Sequence, residues 1–448
     1  MGTKWRRILV AALLLASVAE FSVRGPVRIA RAMGWNDFLS PYIQAKAWVH
    51  GKDPYSAETL VALWPADNPR PEWVDADAVS GALERKRGMP TPYPLTSLVV
   101  LSPFSLLSWS IAMPLWIVLS VTAVVLAPFG LISICGCRLA DLRAQLFLAI
   151  AFALAPLHTG IATANPAMLA VSLTVGTVWA ARSGRTKTAG VLLAIAICLK
   201  PTVAAGLLLY YLIRRQWKVA GTATAVAAAI ASVGFLRLGL AGVPWLASYF
   251  ENTNRIFSSG SLADFTRPGT IRFNMVNAQV LFYSLLGSAS AANLAAWCLA
   301  VALLACWLWL CWRRRTPSGL LEISAIAVIS LISVYHRFYD AALLIWPLAW
   351  SLLPGIRRST SLPILATIAP FLVPGPTLLT DLAVQGHIHP GIAHGWWWEA
   401  VILPHEIWAL IVLAFLLLYD LSRALPEESM EAAEESSATA VRPGPAPS

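Results

Sequence analysis

Four short stretches carry side chains suited to chemistry on an oxygen-rich, anionic substrate. Asp37 lies in GWNDFLSPYIQAKAWVHGKDPY, residues 34–55, flanked by Trp35 and Phe38. His158 and Asn165 stand in PLHTGIATANPAML, Lys200 in ICLKPT, and His336, Arg337, Tyr339 and Asp340 in SVYHRFYD. Arg255, Arg267, Arg272 and Asn274 follow in a loop at 237–290. A carboxylate can take the proton of an attacking hydroxyl. Lys, His and Arg can hold a phosphate and offset charge on a leaving group. Lys200 and the His336–Arg337 pair weigh most, because each interrupts an apolar stretch, where ionisable groups are costly and mark function. The competing reading is that such side chains snorkel to the membrane surface. A fifth stretch, QGHIHPGIAHGWWWE, offers His387, His389 and His394 as zinc-ligand types. No carboxylate stands inside that cluster, so no metal is expected, and Trp396 to Trp398 read as an interfacial aromatic belt.

The elements that must position these residues are membrane helices. The chain has 448 residues, 58% hydrophobic and 12% charged, with 20 tryptophans. A soluble domain carries about 25% charge. Apolar runs punctuated by basic clusters define an all-α polytopic membrane protein. The net charge of +10 sits in short clusters between those runs and matches no nucleic-acid motif, so nucleic-acid binding is excluded. The six cysteines all lie in or beside apolar runs and read as buried, inert thiols.

Twelve spans are expected, at about 8–23, 111–136, 145–158, 167–181, 188–199, 202–213, 219–236, 291–312, 320–333, 341–354, 361–379 and 401–420. The N-terminal segment fits a signal peptide or an uncleaved first helix. With a cytoplasmic N-terminus, Lys4, Arg6, Arg7, Arg138, Arg143, Arg182, Arg185, Lys187, Arg214, Arg215, Lys218, Arg313 to Arg315, Arg357, Arg358 and Arg423 all fall on one face, as the positive-inside rule requires. That assignment needs two short helices meeting at Lys200 and Pro201, not one kinked span. The membrane domain covers 1–424, with an outer loop and juxtamembrane helices at 24–110 and a second outer loop at 237–290. Residues 425–448 read as a disordered acidic cytoplasmic tail. Asp37, His158, Asn165, Lys200, Arg272 and His336 to Asp340 then collect on the outer side. Ser40 as N-cap, Pro41 at the first helical position and Gly51 as stop predict a short amphipathic helix in the interface, with Asp37 just before it.

The order of these motifs resembles glycosyltransferase family 87, the polyprenyl-phosphate-dependent mannosyltransferases of the GT-C fold. The resemblance rests on Asp37, Tyr42, Gly51 and Asp53–Pro54–Tyr55, then Tyr93–Pro94, Thr163 to Asn165, Lys200–Pro201 with Arg214 to Trp217, and His336–Tyr339–Asp340, over about 30–350. Thr163 and Ala164 replace a glycine and glutamine of the family pattern, and Leu95 replaces a proline. The resemblance implies transfer of a hexose from a polyprenyl-phosphate donor to a lipid or glycan acceptor on the periplasmic or extracellular face of the plasma membrane. Asp37 would be the general base; Lys200, His336 and Arg337 would bind the donor phosphate. Tyr42, His158, Asn165, Arg272, Tyr339 and Asp340 would line the substrate. No organic cofactor is implied, the lipid-linked sugar being a co-substrate, and a monomer is expected. The rival reading is a transporter or flippase of a lipid-linked sugar, which shares the cationic site but lacks the internal repeats such transporters show.

Overall fold

The computed structural model describes residues 3–31, 36–68, 91–269, 271–313, 319–353, 359–393 and 395–423. Among these the chain is helical throughout; its one extended pairing is the antiparallel bridge between Met275 and Arg337. Trp35, His394, Arg314, Arg315, Arg357, Arg358 and the tail from 425 lie outside the described residues.

The described residues of the expected spans are largely helical, but fewer than twelve of those helices are long enough to cross. Among the described residues five helices are long and apolar enough to cross a membrane: Lys4–Arg31, Trp109–Ile134, Trp217–Leu240, Ala289–Arg313 and His405–Arg423. Two pairs, Leu142–Ala153 with Ala155–Ala162 and Ser361–Leu372 with Gly375–Val384, each bend by 46° and make seven if counted as single spans. The expected spans at 167–181, 188–199, 202–213, 320–333 and 341–354 are shorter apolar helices, below the roughly 20 residues a straight crossing needs. The chain is a multi-pass membrane protein.

Prolines set the breaks. Pro156 lacks an N–H and would clash with the carbonyl of Phe152, so Leu154 leaves the helix with ψ 113° and a new helix starts. Pro201 biases the residue before it toward extended backbone. Lys200 accordingly has φ −152° and ψ 88° between Thr186–Leu199 and Pro201–Ile213. The first helix runs to Arg31, past the expected end at 23, because a π turn over Val23–Val27 accommodates Pro26. Gly190 lets Thr186–Leu199 close on Trp217–Leu240: a Cβ there would sit 2.5 Å from Thr222 Cβ and 2.9 Å from the Val219 carbonyl.

Pro201–Ile213 packs beside Leu320–Ser333, and an ion pair closes each end. Lys200 Nζ lies 2.6 Å from Asp340 Oδ1 at one end. At the other, Arg214 grips buried Glu322 with two guanidinium nitrogens, Nε at 2.8 Å from Oε2. A thirteen-residue helix separates the pairs by ~20 Å. Arg182, whose Nη1 donates to the Ile134 carbonyl, shares the Arg214 end.

Four expectations need correction. The helix after Asp37, Leu39–Val49, is not amphipathic: Leu39 to Ala45, Ala47 and Trp48 are all buried, because Leu95–Ser105 and Trp217–Leu240 cover faces that local periodicity left open. Its N-cap is Phe38, and Ser40 instead meets Thr91 Oγ1 at 2.9 Å; Gly51, at φ +65°, does end it. The amphipathic helix lies in the second loop, Trp245–Ile256, burying Asn252 and Ile256 while exposing Leu246 and Phe250. Cys298 and Cys306 are exposed where buried thiols were expected, although none of the six cysteines is in a disulfide, and Trp398 is buried where a belt residue was expected.

Candidate active site

Asp37 sits in the turn before Leu39–Val49, half-buried, with its N–H donating to the Thr163 carbonyl at 2.8 Å. Asn165 Nδ2 donates to Asp37 Oδ2 at 2.9 Å, while Asn165 Oδ1 accepts from Ala167 N. The turn that presents Asn165 is held from behind. Ala164 takes a left-handed φ of +54°, and the Trp116 indole donates to its carbonyl at 3.0 Å. Phe38 stacks on the same indole, centroids 4.5 Å apart and planes within 2°. One buried tryptophan thus fixes the neighbours of both polar groups.

Across from Asp37 stands the segment 335–340. Asp340 is its hub: buried, it accepts Lys200 Nζ on Oδ1, and on Oδ2 it meets His336 Nδ1 at 3.0 Å and Arg337 N at 3.2 Å. His336 is fully buried, and Nε2 is the nitrogen its Asp340 contact leaves for a ligand. Lys200 also lies over the Tyr339 ring, 4.8 Å from its centre. The Arg337 guanidinium donates to the Tyr339 phenol and lies within electrostatic reach of Asp37. His336 Nε2 and Arg337 Nη1 are buried with no hydrogen-bond partner among the described residues. Buried polar nitrogens of this kind cost stability unless something pairs with them.

Tyr93 and Tyr335 complete the group; sequence reasoning used Tyr93 only as a motif residue of the resemblance and gave neither of them a site role. Burial first, then Asp37 and Asp340, push the Tyr93 phenol well above its ordinary value, and a side-chain hydrogen bond joins it to Asn165. Burial likewise raises the Tyr335 phenol. Burial opposes the Arg337 charge, but Tyr335, Tyr339 and Asp37 outweigh it and hold its value above that of a free guanidinium. The phenols therefore stay neutral and Arg337 stays charged near neutral pH. The available signal was position: Tyr93 precedes Pro94 in TPYPL, and Tyr335 directly precedes His336.

The structure thus brings Asp37, Asn165, Lys200, His336, Arg337, Tyr339 and Asp340 together, and sets the other three apart. Tyr42 is buried on the scaffold, its hydroxyl donating to the Leu107 carbonyl at 2.7 Å and its ring against Trp109. His158 is buried in Ala155–Ala162, its backbone against Gly25. Arg272 pairs with Glu399 at 2.8 Å and lies over Phe273, reaching the site only through the pairing of Met275 with Arg337. Arg255 pairs with Glu251, and Asn274 accepts from Thr377. His387 and His389 are exposed, and among the described residues no three His, Cys, Asp or Glu group as metal ligands.

Fold and site together define a multi-pass membrane protein with a carboxylate, phenols and cations gathered at one end of its helical bundle. The chain belongs to Glycosyltransferase family 87, whose family model matches residues 91–334. That region includes Tyr93, Asn165, Lys200 and Arg272; Asp37 precedes it and His336 to Asp340 directly follow it. Neither a curated protein nor a solved structure matches the chain. It is a membrane glycosyltransferase.

Proposed function

We propose that this protein moves a hexose, mannose in the first instance, from a polyprenyl phosphate to a hydroxyl of a lipid or glycan acceptor on the non-cytoplasmic face of the plasma membrane. The scaffold in this reading is a twelve-span GT-C fold acting as a monomer, with no cofactor beyond the lipid-linked donor. The observation that carries the proposal is the facing of Asp37, oriented by Asn165, toward a segment whose buried His336 Nε2 and Arg337 Nη1 have no partner among the described residues.

In the reaction the acceptor oxygen forms a bond to the anomeric carbon while the bond from that carbon to the phosphate oxygen breaks. Asp37 takes the acceptor proton. The electron pair leaves with the phosphate, whose growing charge meets Arg337, the remaining N–H groups of Lys200 and, when both of its ring nitrogens carry protons, the Nε2–H of His336. Asp340 holds Lys200 and His336 and touches no substrate. The site lies at the end of a helix of ~20 Å, short of the ~30 Å hydrocarbon core, a depth suited to a phosphate carried on a lipid. A flippase would break no bond, and the family assignment favours transfer.

The test uses purified protein in detergent with a synthetic polyprenyl-phosphate mannose and a membrane lipid extract. The expected product is free polyprenyl phosphate. Asp37→Asn keeps an oxygen for Asn165, so folding should hold while turnover drops about 10²–10⁴-fold. Turnover near the wild-type rate in Asp37→Asn would remove Asp37 as the base.

A further inference from the structure

The GKDPY stretch ends Leu39–Val49 and takes no part in the chemistry above, yet Tyr55 within it is almost completely buried. Asp53 and Tyr55 grip one face of the amphipathic helix Trp245–Ile256. Ser248 Oγ donates to Asp53 Oδ2 at 2.6 Å, and Asn252 Nδ2 donates to the Tyr55 carbonyl at 2.6 Å. The Tyr55 ring packs edge-on against Tyr249 at 5.1 Å and lies 6.3 Å from Trp245. Residues 245, 248, 249 and 252 share one helical face. Asp53 Oδ1 accepts the Tyr55 N–H at 2.9 Å and makes the turn rigid. From this seat the Tyr55 hydroxyl donates to the Tyr93 carbonyl at 2.7 Å.

The other face of the same helix exposes Leu246 and Phe250, and the exposed Phe257 follows its end. These continue the exposed apolar surface of Phe235, Leu236 and Leu240 on the preceding membrane helix, with Phe235 5.5 Å from Trp245. A helix polar on one face and apolar on the other, running on from a membrane span, lies in the lipid surface.

We infer that Asp53–Pro54–Tyr55 is a strut between a lipid-seated helix and the active site, and that Tyr55 is a positioning residue for Tyr93. This rests on the reading above only in taking Tyr93, beside Asn165 and Asp37, as part of the site. The start of the same segment is held separately: Gln44 Nε2 donates to the Thr91 carbonyl at 2.6 Å. Loss of the Tyr55 hydroxyl therefore frees Tyr93 locally without releasing the segment.

The experiment measures hydrogen exchange by mass spectrometry on the full chain in lipid nanodiscs, for wild type, Tyr55→Phe and Leu246→Ser/Phe250→Ser. Tyr55→Phe keeps the ring packing and loses one hydrogen bond. Exchange over 91–98 should rise about fivefold while that over 245–256 holds. In the Leu246→Ser/Phe250→Ser variant, exchange should rise over both 245–256 and 91–98. Where polyprenyl phosphate release is measurable, Tyr55→Phe should lower kcat about fivefold and leave the donor KM in place. Unchanged exchange over 91–98 in Tyr55→Phe overturns the strut, and so does a rise spread evenly over the chain. Loosening of 245–256 that never reaches 91–98 overturns its coupling to lipid. Exchange reads the strut whether or not the sugar donor is the one proposed, so the two readings fail separately.

Discussion

Asp340→Asn tests the hub of the site most directly. The wild-type carboxylate is buried and holds Lys200 Nζ at 2.6 Å, His336 Nδ1 at 3.0 Å and Arg337 N at 3.2 Å. The amide is isosteric but neutral, and one of its ends becomes a donor. Turned one way, that end meets the Lys200 ammonium; turned the other, it meets the donors of His336 and Arg337. Removing one partner of a buried ion pair costs about 3–5 kcal/mol. The Lys200 side chain is 18% exposed, so water relieves part of its stranded charge and the lower end, about 3 kcal/mol, is expected. Adding Lys200→Met removes that stranded charge, and the double variant should regain about half of the loss. The assay is the fraction folded along an SDS titration in mixed micelles, run on wild type, both single variants and the double. If Asp340→Asn unfolds at the wild-type SDS fraction, or the two single losses simply add, the buried hub is refuted.

Three further outcomes follow from the geometry. Asn165→Ala removes the 2.9 Å hold on Asp37 and the acceptor of the Ala167 N–H, so it should lower kcat about tenfold and cost about 1–3 kcal/mol in the SDS titration. Glu322→Gln removes the charge that buried Arg214 grips at the other end of the bundle and should lower the SDS midpoint while the donor KM holds. Asp67 caps Trp109–Ile134, accepting the N–H groups of Trp109 and Ser110, and the Ser110 N–H holds its carboxyl below the ordinary value. That contribution is complete above the ordinary carboxylate range and is lost as pH falls through the lowered value, so the difference in melting temperature between wild type and Asp67→Ala should shrink below about pH 4.

Much of the fold was legible because its causes are local. Apolar runs gave the helices, Pro201 gave a break and Gly51 gave a stop, since each acts on its own few residues, whereas the break before Pro156 lay inside one expected span. Lys200 and the His336–Arg337 pair stood out for a similar reason: an ionisable group inside an apolar run is conspicuous without knowledge of its partners. Tyr93 and Tyr335 did not, because an aromatic residue near a membrane surface is ordinary until something polar is set beside it.

The sequence by itself determined a multi-pass helical protein, some of the breaks between its helices, and the residue types able to do acid–base and phosphate chemistry. Tertiary structure alone decided which of those residues meet. It set Asn165 on Asp37 across 128 positions of chain, tied Lys200 to Asp340 across 140, and turned Tyr42 to Leu107 and Arg272 to Glu399. It also buried Leu39–Val49 and left the amphipathic role to Trp245–Ile256. The reason is physical: hydrophobic periodicity records which face of a helix avoids water, but whether lipid, solvent or another segment covers that face depends on packing between residues far apart in the chain.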